Sequence, residues 1–507
     1  MNTNNKATVL IVGAGPTGLV LALWLTKLGI TVRIIDKNAQ PGETSRALIV
    51  QGRTLEFYQQ LGIADELIAA GIKLDYFELR KNGQALKTIN IGAIGIGMTP
   101  YSFILSFPQD DHEKLLLAHL EKMGVVVERN TELLSCSQNQ EKVSAILQHQ
   151  QEQETAEFAY LCGCDGARST TREQLGIKFP GGTYSQKFFV ADVDSPNEIM
   201  RGLQIGVTGH DFCLAFPIRS SHTVRLIGIV PAKHSNQEEI SFADVQESVD
   251  QNMRIDITGV NWFSTYHVHH RVVPKFRVAR IFLAGDAAHI HSPVGGQGMN
   301  TGIGDAINLS WKLAAVLHET CAEKILETYE QERLPFAKKL VSTTDQMFQL
   351  VTSTSFLGSA WRNFIFPYLV PALFKSQVAR QFFFKFVSQM QIKYRESPLS
   401  AESRGKVRAG DRLPWVQEGS TDNFATLKQL NWQVHVYGKA EALLHASLQS
   451  QNIPLREFAW SATAKKQGLC ENTAYLIRPD GYISVIDATP DGAQLKQMLR
   501  LFKINQH

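Results

Sequence analysis

Cysteine is scarce in this chain, with six residues in 507. Only Cys162 and Cys164 stand close together, as Cys-Gly-Cys, which is not a zinc spacing. A disulfide framework and a metal centre are therefore both excluded as expectations, and the usage suits a reducing compartment. Charge of one sign is missing too. Lys and Arg total 51 against 48 Asp and Glu, a net charge of +3, so there is no broad electrostatic case for nucleic acid or an anionic membrane. No stretch approaches the roughly 20 apolar residues of a spanning helix, so no stable membrane association is expected. The most lipid-like stretch, Phe364 to Phe374, is short and aromatic and reads as a packed helix or a partner surface. The polar start MNTNNK leads into a strand-like run without a cleavage signal, and the cytoplasm is the expected location. Internal repeats and low-complexity tracts are absent.

What is present is an alternation of elements in a chain long enough for two or three domains. Thr8–Val12, a Gly-rich turn, a helical run to Leu28 and Thr31–Ile35 read as a βαβ opening. Leu74 to Phe107 changes character, with Asn82-Gly83 as a hairpin turn. Lys187–Asp194, Phe212–Ile218, Thr223–Val230 and Trp262–His269 predict an antiparallel sheet. Ile281 to Leu317 returns to strand, Gly-rich loop and long helix, and the pattern stays helical to about Tyr394. Residues 396–414 look like a boundary, rich in Ser, Pro, Gly and Arg. Beyond it the order is β-α-β, β-β, α, with Pro479-Asp480-Gly481 turning the last strand pair. The expected fold class is α/β. A Rossmann-like domain covers residues 1–73, 104–178 and 280–395, a β-sheet domain covers 74–103 and 179–279, and a C-terminal α/β unit covers 405–507.

Three motifs carry the chemistry. Gly13-Ala14-Gly15-Pro16-Thr17-Gly18 follows a strand and opens a helix. Gly13 permits the tight turn, Gly15 admits a pyrophosphate to the backbone, and Gly18 brings helix and strand together. The helix start offers N–H groups and a positive dipole end to phosphate. Asp36, with Lys37 after it, ends the second strand, where a carboxylate accepts from ribose hydroxyls. This motif alone does not separate FAD from NAD. The second, Ile281 to His289, is a buried strand ending in Gly285-Asp286, an acid placed to hold a ribityl hydroxyl. It continues through Pro293-Val294-Gly295-Gly296-Gln297-Gly298-Met299-Asn300 into a helix. There the backbone can lie against a flat ring, and the helix N–H groups face the negative N1–C2=O region of a reduced flavin. The third, Cys164-Asp165-Gly166-Ala167-Arg168-Ser169, also places an acid after a strand-like run.

In these motifs and their order, from residue 7 to about 400, the chain resembles the single-component, class A FAD-dependent monooxygenases. That is the group of para-hydroxybenzoate, phenol and polyketide hydroxylases. Ser45-Arg46-Ala47 and Gln109, before the helix containing Glu113, strengthen the likeness. The resemblance implies that Arg46 and Gln109 contact the flavin, Asp165 serves FAD and nicotinamide, Asp286 binds the ribityl chain and Pro293 lines the pocket. It implies non-covalent FAD, with NADPH or NADH as a transient co-substrate that has no Rossmann site of its own. Hydride reduces the flavin, O₂ adds at C4a as a hydroperoxide, and the distal oxygen passes to an electron-rich aromatic ring. The protein must exclude water so that the oxidant is not lost as H₂O₂.

The last hundred residues resemble the thioredoxin-like extension of the phenol and polyketide hydroxylase branch. Gly438-Lys439-Ala440-Glu441 stands where thioredoxin carries CxxC, so a structural or homodimer-forming role is expected rather than a dithiol one. No catalytic base is identified. His289 and His291 flank the flavin motif, and a hydrogen-bonded structural role is the stronger reading for His289. Pocket candidates are Pro293, Gly295, Phe212 and Phe216, the two aromatics alternating with Leu214 along one strand face. Arg225 either pairs with a substrate anion or sits on a solvated face. The expected substrate is a phenolic small molecule of one or several rings. A flavin-binding sensor without turnover, or another FAD oxidoreductase of the same fold, stays open as an alternative. A flavin halogenase is disfavoured because no Trp-x-Trp-x-Ile-Pro occurs.

Overall fold

A computed structural model describes residues 7–42, 47–196, 201–208, 211–219, 222–292, 295–352 and 366–505. Its first layer is a six-stranded sheet in the order Arg277–Val278, Ile281–Leu283, Tyr160–Gly163, Val9–Val12, Val32–Ile35, Val127–Glu128. All neighbours run parallel except the antiparallel edge pair Arg277–Val278 and Ile281–Leu283. Strands such as Val9–Val12 and Tyr160–Gly163 are buried throughout, because a parallel sheet is covered on both faces. The Pro16–Lys27 helix is buried continuously from Gly18 to Leu25. It packs in one core with the Gly298–Leu317 helix, itself buried over most of its length. On the other face, a meander of Thr131–Gln138, Val143–His149 and Glu152–Phe158 covers Leu10, Val12 and Ile35.

The second sheet has eight strands and is mixed, which corrects the expectation of an antiparallel one. Its order is His289–Ile290, Gly259–Val272, Gly181–Asp194, Thr223–Ile229, Phe212–Ile218, Gly202–Val207, Tyr76–Lys81, Gln84–Asn90. Gly202–Val207 pairs parallel with Tyr76–Lys81, while the other neighbours are antiparallel. The cause is topological. The two strands come from segments far apart in the chain, so no hairpin dictates their relative direction. Asn82 and Gly83 both have positive φ, as a two-residue hairpin turn requires. Helix Phe242–Met253 covers one face. Helix Gln377–Val387 covers part of the other.

The last sheet runs Leu455–Phe458, Gln433–Tyr437, Ala474–Ile477, Ile483–Asp487. Its first pair is parallel and the rest antiparallel. Cys470 is exposed and in no disulfide. No helix among the described residues is long and apolar enough to cross a membrane.

Burial leaves three imidazoles hard to protonate. It pushes His112 and His435 down to about 3 and His291 to about 4. In the unfolded chain these groups take up protons near pH 6.5, whereas in the folded chain they do not until far lower. Unfolding below pH 6.5 therefore binds protons, and stability falls with pH by about 1.4 kcal/mol per unit per histidine. Urea unfolding at pH 7 and pH 5.5 should show this loss. His112→Gln, which can keep a bond to the Tyr58 hydroxyl 2.7 Å away, should reduce the slope by one proton. An unchanged slope would remove His112 from the account.

Candidate flavin site

The fingerprint turn is built by close approach. Gly13 has φ +101°, and a Cβ there would strike the Cys164 carbonyl, while one on Gly18 would strike the Gly13 carbonyl. Gly15 differs, because nothing lies within 4 Å of where its Cβ would be. The packing glycines and the open glycine are thus separate positions, and the open one borders a cleft of about 270 Å³. Gly13, Ala14, Asp36, Lys37, Glu113, Arg129 and Asp165 also line this cleft. The Pro16–Lys27 helix begins there with no side-chain cap and no acid in its first turn. Its N–H groups and dipole face the opening uncompensated, as an anionic ligand requires.

Asp36 shapes the mouth of the cleft. One carboxylate oxygen accepts from the Ala14 N–H at 2.8 Å and the other from the Asn38 N–H at 2.8 Å. Gln109 donates to Glu113 at 2.7 Å. Burial raises the Glu113 carboxyl above its ordinary range, partly opposed by Gln109 and Arg129. Asp165 is turned toward its own loop, accepting from the Ser169 hydroxyl at 2.6 Å and from the N–H and hydroxyl of Thr171 at 2.9 and 3.0 Å. Its carboxylate thus holds the turn that walls the cleft. Arg46 and Pro293 lie outside the described residues.

The second motif and the helix it leads into meet the fingerprint at Thr17. A Cβ on Gly285, where φ is +60°, or on Gly302 would collide with the Thr17 hydroxyl. Asp286 sits exposed in the 3₁₀ turn Gly285–Ala287. The Gly298–Leu317 helix starts at Gln297 with no side-chain cap and no acid in its first turn. Asn300 is buried, and both halves of its amide are committed to protein. Its Nδ2 donates to the Ile49 and Gly296 carbonyls at 2.8 and 2.9 Å, and its Oδ1 accepts from Gln51 N–H and the Thr54 hydroxyl at 3.0 and 2.7 Å. Asn300 therefore anchors the Gly295–Gly296 loop to the start of helix Gly52–Leu61.

The two histidines separate. His289 Nε2 lies 2.7 Å from Asp305 Oδ2, with both residues buried, and stacks on Phe276. His291 Nδ1 lies 2.9 Å from the Ser292 carbonyl. Its Nε2 is buried without a partner among the described residues, about 4.0 Å from the Cβ position of Gly298. Phe212 and Leu214 are half-buried on one sheet face and Phe216 is buried. Arg225 fits neither sequence reading. It is 1% exposed and donates to both carboxylate oxygens of Asp192 at 2.7 and 2.8 Å, because a guanidinium inside a sheet needs a bidentate acid.

Sequence reading missed Gln51, whose amide donates to the Gly295 and Gly296 carbonyls at 3.3 Å, and also Arg129. Arg129 was findable, since it follows strand Val127–Glu128, and ligands gather beyond the carboxyl ends of parallel strands. No signal marked Gln51, whose part depends on a loop 244 residues away.

The parallel sheet, the open glycine, the uncapped helix and the terminal acid define a dinucleotide-binding protein. A family model described as an FAD binding domain matches residues 6–344, and the chain belongs to that family. A flavin-dependent monooxygenase of Mycobacteroides abscessus is 32% identical over 508 residues, covering 94% of this chain and 97% of its own. The 6-methylpretetramide 4-monooxygenase of Streptomyces rimosus is 36% identical over 366 residues, covering 72% and 64%. Among solved structures, anhydrotetracycline hydroxylase from Streptomyces rimosus superposes with a TM-score of 0.78 at 27% identity, covering 98% of this chain and 99% of that one. The protein is an FAD-dependent monooxygenase of the single-component class expected from its motifs.

Proposed function

We propose that the protein hydroxylates a planar, phenolic and multi-ring small molecule, with NADPH or NADH as reductant. The observation that carries the substrate reading is an apolar wall beside the flavin loop. Leu203, Ile205, Leu214 and Ile227 are partly buried with Phe383 and Phe386 in one cluster. Ile49 joins that cluster to Gly296, whose Cβ would lie 2.9 Å from it. Such a surface suits a flat aromatic face. The names of the tetracycline-type relatives point the same way.

FAD, when bound, supplies the hydride acceptor and the O₂ chemistry. The side chains have simpler tasks. The Gly15 and Asp36 end takes the AMP half, with Lys37 and Arg129 adding positive charge, and Asp286 takes the ribityl side. Arg46 and Gln109 complete the flavin contacts, Asp165 serves the cofactors through the loop it holds, and Pro293 completes the pocket wall. Backbone at Gly298 and Met299 faces the ring. Burial keeps His291 neutral beside the flavin loop. The wall excludes water, which limits loss of oxidant as peroxide. The domain limits proposed from the sequence need small shifts, since Arg277–Val278 pairs in the first sheet and His289–Ile290 in the eight-stranded one, and residues 405–507 are read as a thioredoxin-like unit without its dithiol that stiffens the chain or joins a homodimer.

The test is NAD(P)H oxidation with peroxide yield across monocyclic and polycyclic phenols. Polycyclic phenols should speed oxidation and lower the fraction of reducing equivalents appearing as peroxide. Coupled turnover confined to one-ring phenols would overturn the multi-ring proposal and leave the monooxygenase assignment standing.

A further inference from the structure

A buried chain of charges joins the C-terminal unit to the root of the flavin loop. Two consecutive residues of helix Glu327–Thr352, Glu332 and Arg333, carry it. Glu332 accepts from Arg478 at 2.7 and 3.0 Å, from Lys312 at 2.8 Å, from Asn308 at 2.7 Å and from the Ser397 hydroxyl at 2.6 Å. Arg478 and its partner Asp480 belong to the turn between the last two strands of the C-terminal sheet. Arg333 donates to Asp305 at 2.6 Å, to the Tyr394 hydroxyl at 2.9 Å and to the Thr301 carbonyl at 3.1 Å. Asp305 in turn accepts the Gly285 N–H at 3.0 Å, one residue before Asp286.

Glu332, Arg333, Asp305, Arg478 and Asp480 are each at most 4% exposed. Burying this many charges is a poor route to stability, since apolar residues of similar volume do as well. What it does provide is direction, because a guanidinium fork accepts only one arrangement of partners. Gly304 is shaped to it, as a Cβ there would lie 3.2 Å from an Arg333 Nη. The chain of contacts also ends on a backbone N–H of the motif that presents Asp286, rather than in the middle of an apolar core.

We propose that Arg333 is a positioning residue for the flavin site, itself set in place by docking of the C-terminal unit through Arg478 and Glu332. Arg333 orients Asp305, Asp305 holds the Gly285 N–H, and the turn carrying Asp286 follows. The C-terminal unit then completes the cofactor site without touching it. This rests on the assignment of FAD to that site.

The experiment titrates apo-protein with FAD, well below every melting temperature, and records the visible circular dichroism of the bound flavin. Arg333→Lys keeps the charge and loses the fork. It should raise the FAD Kd about tenfold and alter the dichroism, with Arg478→Lys shifting both in the same direction by less. Val249→Ala, which opens a cavity under the eight-stranded sheet, should lower the melting temperature and leave both readings at wild-type values. Wild-type Kd and dichroism in folded Arg333→Lys and Arg478→Lys overturn the proposal. Should Arg333→Lys fail to fold, Arg478→Lys and Tyr394→Phe decide by the same criteria. Wild-type apo-protein that binds no FAD overturns the assignment of the cofactor instead.

Discussion

Asp286→Ala is expected to weaken FAD binding by roughly 10- to 150-fold, the range of a charge-assisted hydrogen bond contributing about 1.5–3 kcal/mol. The carboxylate is exposed at the rim of a 3₁₀ turn whose neighbours Gly285, Ala287 and Ala288 are all buried. The backbone of the turn is held from beneath by the Asp305 bond to Gly285 N–H, and truncating Asp286 leaves that bond in place. The melting temperature of the apo-protein should therefore stay close to that of wild type while FAD affinity falls. Asp286→Asn should lie between the two, retaining an acceptor and losing the charge. A folded Asp286→Ala protein with wild-type affinity would remove this residue from the site.

Glu332→Ala should cost about 3–5 kcal/mol of stability, the penalty for leaving one side of a buried ion pair without its partner. The carboxylate is fully buried against Arg478 and Lys312. Burial by itself would raise the carboxyl, but Arg478 and Lys312 outweigh it and hold it well below its ordinary range. Its contribution is thus present above pH 4.5 and is lost as the pH falls toward the depressed folded value. Lys312 shows the cost from the other side, pushed down to about 8 by burial despite the attraction of Glu332. Adding Lys312→Met to Glu332→Ala should recover part of the loss, since one stranded charge is then gone. Urea unfolding of the single and double variants measures both effects. A single-variant loss below about 1 kcal/mol would mean that water or a rearranged partner reaches Arg478.

The elements legible in the sequence were those whose signal is local. The buried strand Val9–Val12, the glycines at 13, 15 and 18 and the acid at 36 each announce themselves within 30 residues. So do the hairpin at Asn82-Gly83 and the turn at Pro479-Asp480-Gly481, because a positive φ or a fixed one demands particular residues. The mixed sheet was not legible, since the parallel pairing of Gly202–Val207 with Tyr76–Lys81 depends on which distant segments meet. Arg225 was misjudged for a related reason. Alternation along its strand shows two faces, and neither the sequence around it nor its charge reveals that Asp192 waits on the next strand.

The sequence by itself determined the nucleotide-binding opening, the order of the three glycine motifs and the family, because backbone geometry and phosphate recognition are written in short, contiguous patterns. Only the tertiary structure decided which polar groups face a ligand and which are consumed by the protein. Asp36, Asp165, Asp286 and Asp305 are equivalent as letters. One shapes the cleft mouth, one caps its own turn, one stands exposed and one is locked to Arg333 and His289. A carboxylate's role is set by the donors within about 3 Å of it, and those donors come from parts of the chain that only folding brings together.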